Sequence, residues 1–196
     1  NLMSRQIQYV QLYFSFFVDE VRLSTISDKN NSRNHLGWKA GVRFTSPGQV
    51  NLSLVLEYTR TNPLAYRHFV STTSFASNSY NLGHYLGDNA EEAFALITYK
   101  PISRLHIRTS FGFVRKGTTY PYVNGSDGRG LPFIDNEVFR RYDARVSISY
   151  SVAHHVNVSL GYQLLVESGL RPYQTVPLPY QMSGPHHVSF GISFGY

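Results

Sequence analysis

HHVSFGISFGY, residues 186–196, is the stretch on which the fold turns. From Val188 onward, Val188, Phe190, Ile192, Phe194 and Tyr196 alternate with Ser189, Gly191, Ser193 and Gly195. A period of two is the period of a β-strand, with successive side chains on opposite faces. One face is large and oily and the other is nearly bare. A soluble sandwich strand facing its core shows this alternation, and so does a membrane-barrel strand facing lipid. The rest of the chain has to separate the two.

Working back from that strand, the same alternation recurs at residues 8–19, 36–45, 50–60, 92–99, 104–115, 142–152 and 156–164. Residues 36–45 are representative: Leu36, Trp38, Ala40, Val42 and Phe44 share one face, Gly37, Lys39, Gly41, Arg43 and Thr45 the other. In 92–99 the apolar face is ambiguous, Ala93, Ala95, Ile97 and Tyr99 competing with Phe94 and Leu96. No stretch keeps apolar residues at helical spacing. The expectation is an all-β chain of about eight antiparallel strands in one domain spanning residues 1–196.

The connections discriminate between sandwich and barrel. In order they cover residues 20–35, 46–49, 61–91, 100–103, 116–141, 153–155 and 165–187, long alternating with short throughout. Short turns on one side and long loops on the other are the outer-membrane pattern, which a Greek-key sandwich has no reason to keep. Tyr142 and Tyr150 lie eight residues apart on one face; at about 3.3 Å per residue and a tilt of about 40° they span roughly 20 Å, close to the ~25 Å apolar band of such barrels. The expected architecture is an up-and-down transmembrane β-barrel, integral to a bacterial outer membrane.

Composition agrees. Mean hydropathy is −0.25 and no run approaches the roughly 20 apolar residues of a membrane-spanning helix. Tyr 15 and Phe 13 against Trp 1 supply aromatic weight for strands and interfacial girdles. With no Cys, disulfide scaffolds and Cys-based metal or redox sites are excluded. The net charge of +6 comes from dispersed Lys and Arg without a basic stripe, so nucleic acid is not an expected partner.

The terminal strand resembles the C-terminal strand of bacterial outer-membrane barrels, which the insertion machinery reads. Residues 50–101 are more specific. VNLSLVLEYTRTNPLAYRH followed by YNLGHYLGDNAEEAFALITYKP resembles the Bacteroidetes branch of the Wzi-type capsule-assembly outer-membrane barrels. The likeness is carried by a strand ending in Glu57-Tyr58-x-Arg60, by Pro63, Tyr66 and His68, by Gly83-His84-x-Leu86-Gly87-x-Asn89 and by Tyr99-x-Pro101. Tyr85 stands where the family has Pro, and this chain is much shorter than family members. The resemblance implies the C-terminal portion of a larger barrel and a non-enzymatic role in assembling or anchoring capsular polysaccharide. Outer-membrane lipid and lipopolysaccharide, surface polysaccharide, the insertion machinery and a protein partner are then the expected contacts. A porin-like channel and an accessory barrel of a surface secretion or gliding assembly are the alternatives.

Two groups of residues carry candidate chemistry. The loop residues Arg60, Tyr66, Arg67, His68, His84, Tyr85 and Asn89 mix aromatic platforms with polar donors, a composition suited to sugars, and long loops carry function disproportionately. On the polar face, Arg43, Glu57, Arg104, Arg108, Asp143 and Arg145 are expected to form an ion-pair network lining a lumen, with anion binding as the alternative. His154-His155 and His186-His187 fall at opposite ends of the strands and share no site. The loop acids Asp88, Glu91, Glu92 and Asp127 lack the alternate-position carboxylates of a calcium loop. No metal or cofactor is expected, and neither is a catalytic group, since no G-x-S-x-G or phosphate-binding glycine pattern occurs.

Overall fold

A computed structural model of the chain describes residues 4–7, 9–20, 35–46, 51–67, 76–77, 80–121, 131–170 and 184–195. His68, Asp127 and Tyr196 lie outside these. The described residues form β-structure without a helix. The strands are β1 (Ser4–Ile7), β2 (Val10–Glu20), β3 (His35–Thr45), β4 (Asn51–Thr61), β5 (Ala76–Ser77), β6 (Tyr80–Asn81), β7 (Ala90–Ile102), β8 (Leu105–Gly117), β9 (Glu137–Ala153), β10 (Val156–Gly169) and β11 (His186–Phe194).

Nine of them make one sheet in the order β1-β2-β3-β4-β7-β8-β9-β10-β11, every neighbouring pair antiparallel; β5 and β6 form a separate two-stranded ladder in a loop. Each long strand lies beside the next in sequence, the up-and-down arrangement. Eight of the nine match the expected strands. The short β1 is additional, joined to β2 by a tight turn at which Tyr9 adopts φ 68°. Among the described residues β1 and β11 do not pair with each other, so the sheet has two edges.

Register shows what the faces are. The row Phe44, Leu54, Ile97, Thr109, Val146, Tyr162 and Val188 runs strand to strand from β3 to β11, with Val10 of β2 at its start. Neighbouring rows, such as Phe14, Ala40, Tyr58, Ala93, Phe113, Tyr142 and Val166, repeat it. One face of eight strands is therefore predominantly apolar, and it is exposed: Phe16 is 51%, Leu160 52%, Phe190 68% and Phe194 71% accessible. Aromatic rings gather on it, Trp38 against Tyr58 at 5.2 Å and Phe113 against Tyr142 at 4.9 Å between centroids.

The ambiguity in β7 resolves through these rows. Ala93, Ala95, Ile97 and Tyr99 join the apolar face, while Phe94 and Leu96 pair with Glu57 and Val55 on the polar one. Strands β9 and β10 are longer than the alternation suggests. Arg140 and Arg141 look like loop but continue the ladder opposite Ser168 and Glu167. At the loop ends polar side chains occupy both faces, so hydrophobic period no longer marks the strand.

The buried core is small and sits at the same end. Leu86, Ala90, Val114 and Phe139 cluster there with Tyr85 against them. A water-soluble sheet would hide its large apolar residues, each fully buried one worth about 1.5–3 kcal/mol; here they line the open face. Among the described residues no helix is long and apolar enough to cross a membrane, which says nothing of strands.

Candidate functional site

The loops at the long-connection end fold inward over the polar face. The Tyr66 ring lies 5.0 Å from that of Phe17, and its hydroxyl accepts the His84 backbone N–H at 3.0 Å. Asn89 is fully buried at φ 51°. Its Nδ2 donates to the Thr118 carbonyl at 2.8 Å, its Oδ1 accepts the Ile134 N–H at 2.9 Å, and its backbone bonds Asn62 and Gly117. Asp88, also buried, faces Arg67 at 3.1 Å and Lys116 at 3.6 Å. Arg60 donates to Asn62 and lies over the Phe133 ring at 3.6 Å, on the edge of the apolar face.

The loop candidates thus divide. Tyr66, Arg67 and Asn89 hold the loops to one another and to the strand ends, Arg60 braces the rim, and His84 and Tyr85 turn toward the polar face. There His84 Nε2 lies 3.2 Å from Glu92 Oε2, and the Tyr85 hydroxyl donates to Glu92 Oε1 at 2.8 Å while accepting from Arg141 Nη2 at 2.5 Å. The Tyr85 ring lies against His84 in a tilted arrangement, 4.6 Å between centroids. Burial pushes the Tyr66 hydroxyl above its ordinary pKa. Burial does the same to Tyr85, assisted by the Glu92 carboxylate. Both stay neutral hydrogen-bonding groups across the physiological range.

Below this mouth the polar face forms a pocket of about 760 Å³. Its wall runs from Tyr85, Glu92 and Arg141 past Phe94, Asp143, Arg145 and Gln163 to Arg108, over a floor of Gly112, Gly161 and Ser189. Asp143 accepts from Arg145 at 2.6 Å and from Gln163 at 3.0 Å. Across the sheet, Glu57 accepts from Lys39 at 2.7 Å and from the Tyr13 hydroxyl at 2.8 Å. The Tyr13 ring covers its cross-strand partner Gly41, where a Cβ would lie 2.2 Å from the ring.

The expected polar-face network is therefore two separate clusters, Glu57 with Lys39 and Asp143 with Arg145. Arg104 and Arg108 join neither, because they sit at the short-turn end, several residues from the nearest carboxylate along the strands. Arg43 stands beside Tyr13 without an ion pair among the described residues. Residue type alone does not single out Glu92, Arg141 and Gln163 as lining the pocket. Strand parity places all three on the polar face once β9 begins at Glu137.

Among the described residues no three His, Asp or Glu side chains converge as metal ligands. Comparison of the chain with protein-family models, with curated proteins and with solved structures gives no match.

Proposed function

We propose that the chain is the wall of a bacterial outer-membrane β-barrel, its apolar face in lipid and its polar face toward a lumen, and that the loop mouth holds surface polysaccharide during assembly or anchoring. The observation that carries the membrane half is the broad, exposed, predominantly apolar face across eight strands in register. No soluble protein benefits from exposing an apolar surface of that extent, whereas a barrel in lipid requires it. Short turns on one side and long loops on the other fit the same arrangement.

The polysaccharide half rests on the mouth and on the resemblance of residues 50–101 to capsule-assembly barrels. Tyr85 and Phe94 offer ring faces, while Arg141, Glu92, Gln163 and the serines offer donors and acceptors, the combination that binds hydroxyl-rich rings. The role is one of holding, without bond making or breaking.

Trp38 is the single tryptophan and lies on the apolar face, so it reports directly on the environment of that face. In vesicles of bromine-labelled phospholipid its emission is expected to be blue-shifted and quenched. Emission at the wavelength of a hydrated indole, unaffected by bromine, would sink the membrane reading. For the mouth, Tyr85→Phe with Arg141→Gln is expected to release capsule into the medium while the protein level is unchanged; unchanged retention rejects it.

A further inference from the structure

Charge on the polar face is segregated by end. Every carboxylate whose side chain is described lies nearer the long loops than the short turns, Glu57 and Asp143 being the lowest. The short-turn end carries Lys100, Arg104, His106 and Arg108. Lys100 of β7 pairs with Asn51 on the polar-face register, and His106 and Arg108 of β8 pair with Ser149 and Ser147 on the same face. Arg104 occupies the turn between the two strands. Four basic side chains thus fall on two adjacent strands and the turn that joins them.

None of the four makes a side-chain hydrogen bond or ion pair among the described residues, in contrast to the paired cations Lys39 and Arg145 of the same face. Like charges gathered beside a low-dielectric wall repel one another, and a bound anion removes that cost. Hydroxyls flank them: Thr98 pairs with Arg108 from β7, and Ser159 follows Ser149 from β10. Beyond, Gly161 and Gly191 leave the wall bare. A wall of hydroxyls and glycine suits a sugar chain better than the acyl tail of a fatty anion.

We propose that Lys100, Arg104, His106 and Arg108 form a binding site for anionic groups, carboxylate or phosphate, carried on a saccharide chain. Resting on the polysaccharide reading of the mouth, the proposal adds the charge of the ligand and a second point of contact. Arg108 and Tyr85 line the same pocket. Arg141 pairs with Val114, six residues along β8 from Arg108, so the two guanidinium-bearing positions stand roughly 20 Å apart. That is the length of several sugar rings, and a linear acidic glycan would touch both ends of the pocket.

The test is calorimetric titration of the full chain, folded in zwitterionic detergent, with polygalacturonate oligosaccharide, with a phosphorylated mannan oligosaccharide, with neutral dextran of equal length and with inorganic phosphate. At least one of the two acidic glycans is expected to bind, more tightly than dextran, and the stronger of them identifies which anion the site takes. Lys100→Gln with Arg108→Gln is expected to weaken that binding by about tenfold or more, as loss of charge-assisted hydrogen bonds does. Arg140→Gln, which removes a cation from the opposite face, is expected to leave it unchanged. Because Lys100 and Arg108 bond to nothing that is described, their replacement leaves the fold intact, checked by circular dichroism.

Failure of both acidic glycans to bind, equal affinity in the double variant, or an equal loss in Arg140→Gln each overturns the site; the last would mark an effect of net charge alone. Inorganic phosphate binding as tightly as the glycans would show a free-anion site instead. Tyr85→Phe separates the two claims. If it alone alters glycan binding, the anion site falls and the mouth stands; if only the Lys100/Arg108 variant does, the mouth falls.

Discussion

Asn89 and Ile134, 45 residues apart in sequence, are joined by a 2.9 Å hydrogen bond from the Ile134 N–H to the Asn89 side chain, and both have left-handed backbones, at φ 51° and 48°. A β-branched residue adopts that conformation only where its surroundings fix it. Asn89 supplies the constraint by binding two loops at once. Asn89→Ala leaves the Ile134 N–H and the Thr118 carbonyl without their partner, each costing about 1–3 kcal/mol. Urea unfolding in detergent is expected to show a total loss of about 2–4 kcal/mol; a change under about 0.5 kcal/mol, the ordinary surface value, would mean the loops do not depend on this residue.

Gly117 belongs to the same junction. A Cβ there would lie 2.4 Å from Asn89 Nδ2 and 2.9 Å from the Ile134 Cα. Gly117→Ala is expected to cost about as much as Asn89→Ala. Since both damage one junction, the double variant should fall short of the sum by about 1 kcal/mol or more. Strict additivity would show two independent defects.

Adjacent residues of β11 offer a contrast of faces. Phe190 lies on the apolar face and Ser189 on the polar one, opposite Leu160 and Gly161. Phe190→Arg is expected to cost about 2–4 kcal/mol of folding free energy in phospholipid vesicles, and Ser189→Arg about 0–1 kcal/mol. Equal costs would argue that the two faces see the same solvent.

Alkaline pH probes Tyr85. Its folded-state pKa is raised above the ordinary value of 10.0, chiefly by burial and then by the Glu92 charge. The associated stability is complete below the ordinary value and is lost as pH rises through the folded one. Unfolding midpoints are expected to fall from about pH 10 upward, where unfolded tyrosine begins to ionise, and Tyr85→Phe should flatten that decline. An identical decline in the variant would assign it to other groups.

Much of the sheet was legible because eight strands repeat one alternation, and a period-two pattern survives twist and tilt unchanged. Legibility failed where that pattern thins. The starts of β9 and β7 carry Arg140, Arg141 and Glu91, charged residues on both faces, and so resemble loop. Phe94 and Leu96 obscure the face of β7 because they are apolar residues on the polar face, opposite Glu57 and Val55. Within the loops, residue type does not give roles. Tyr66, Arg67 and Asn89 have the side chains of a sugar site, yet their partners lie 18 to 53 residues away. Only folded geometry shows that these groups secure the mouth while Tyr85, with Glu92 and Arg141, lines it.

The outer side of β11 has a further consequence. Along His186–Phe194, alternate N–H and C=O groups point away from β10 with no described strand to receive them. Water tolerates such an edge, but in hydrocarbon each unmet group costs several kcal/mol. On the membrane reading proposed above, the sheet therefore carries a seam along its last strand that demands closure, and the molecule's choice of neighbour there, within itself or from another strand, is enforced by the solvent.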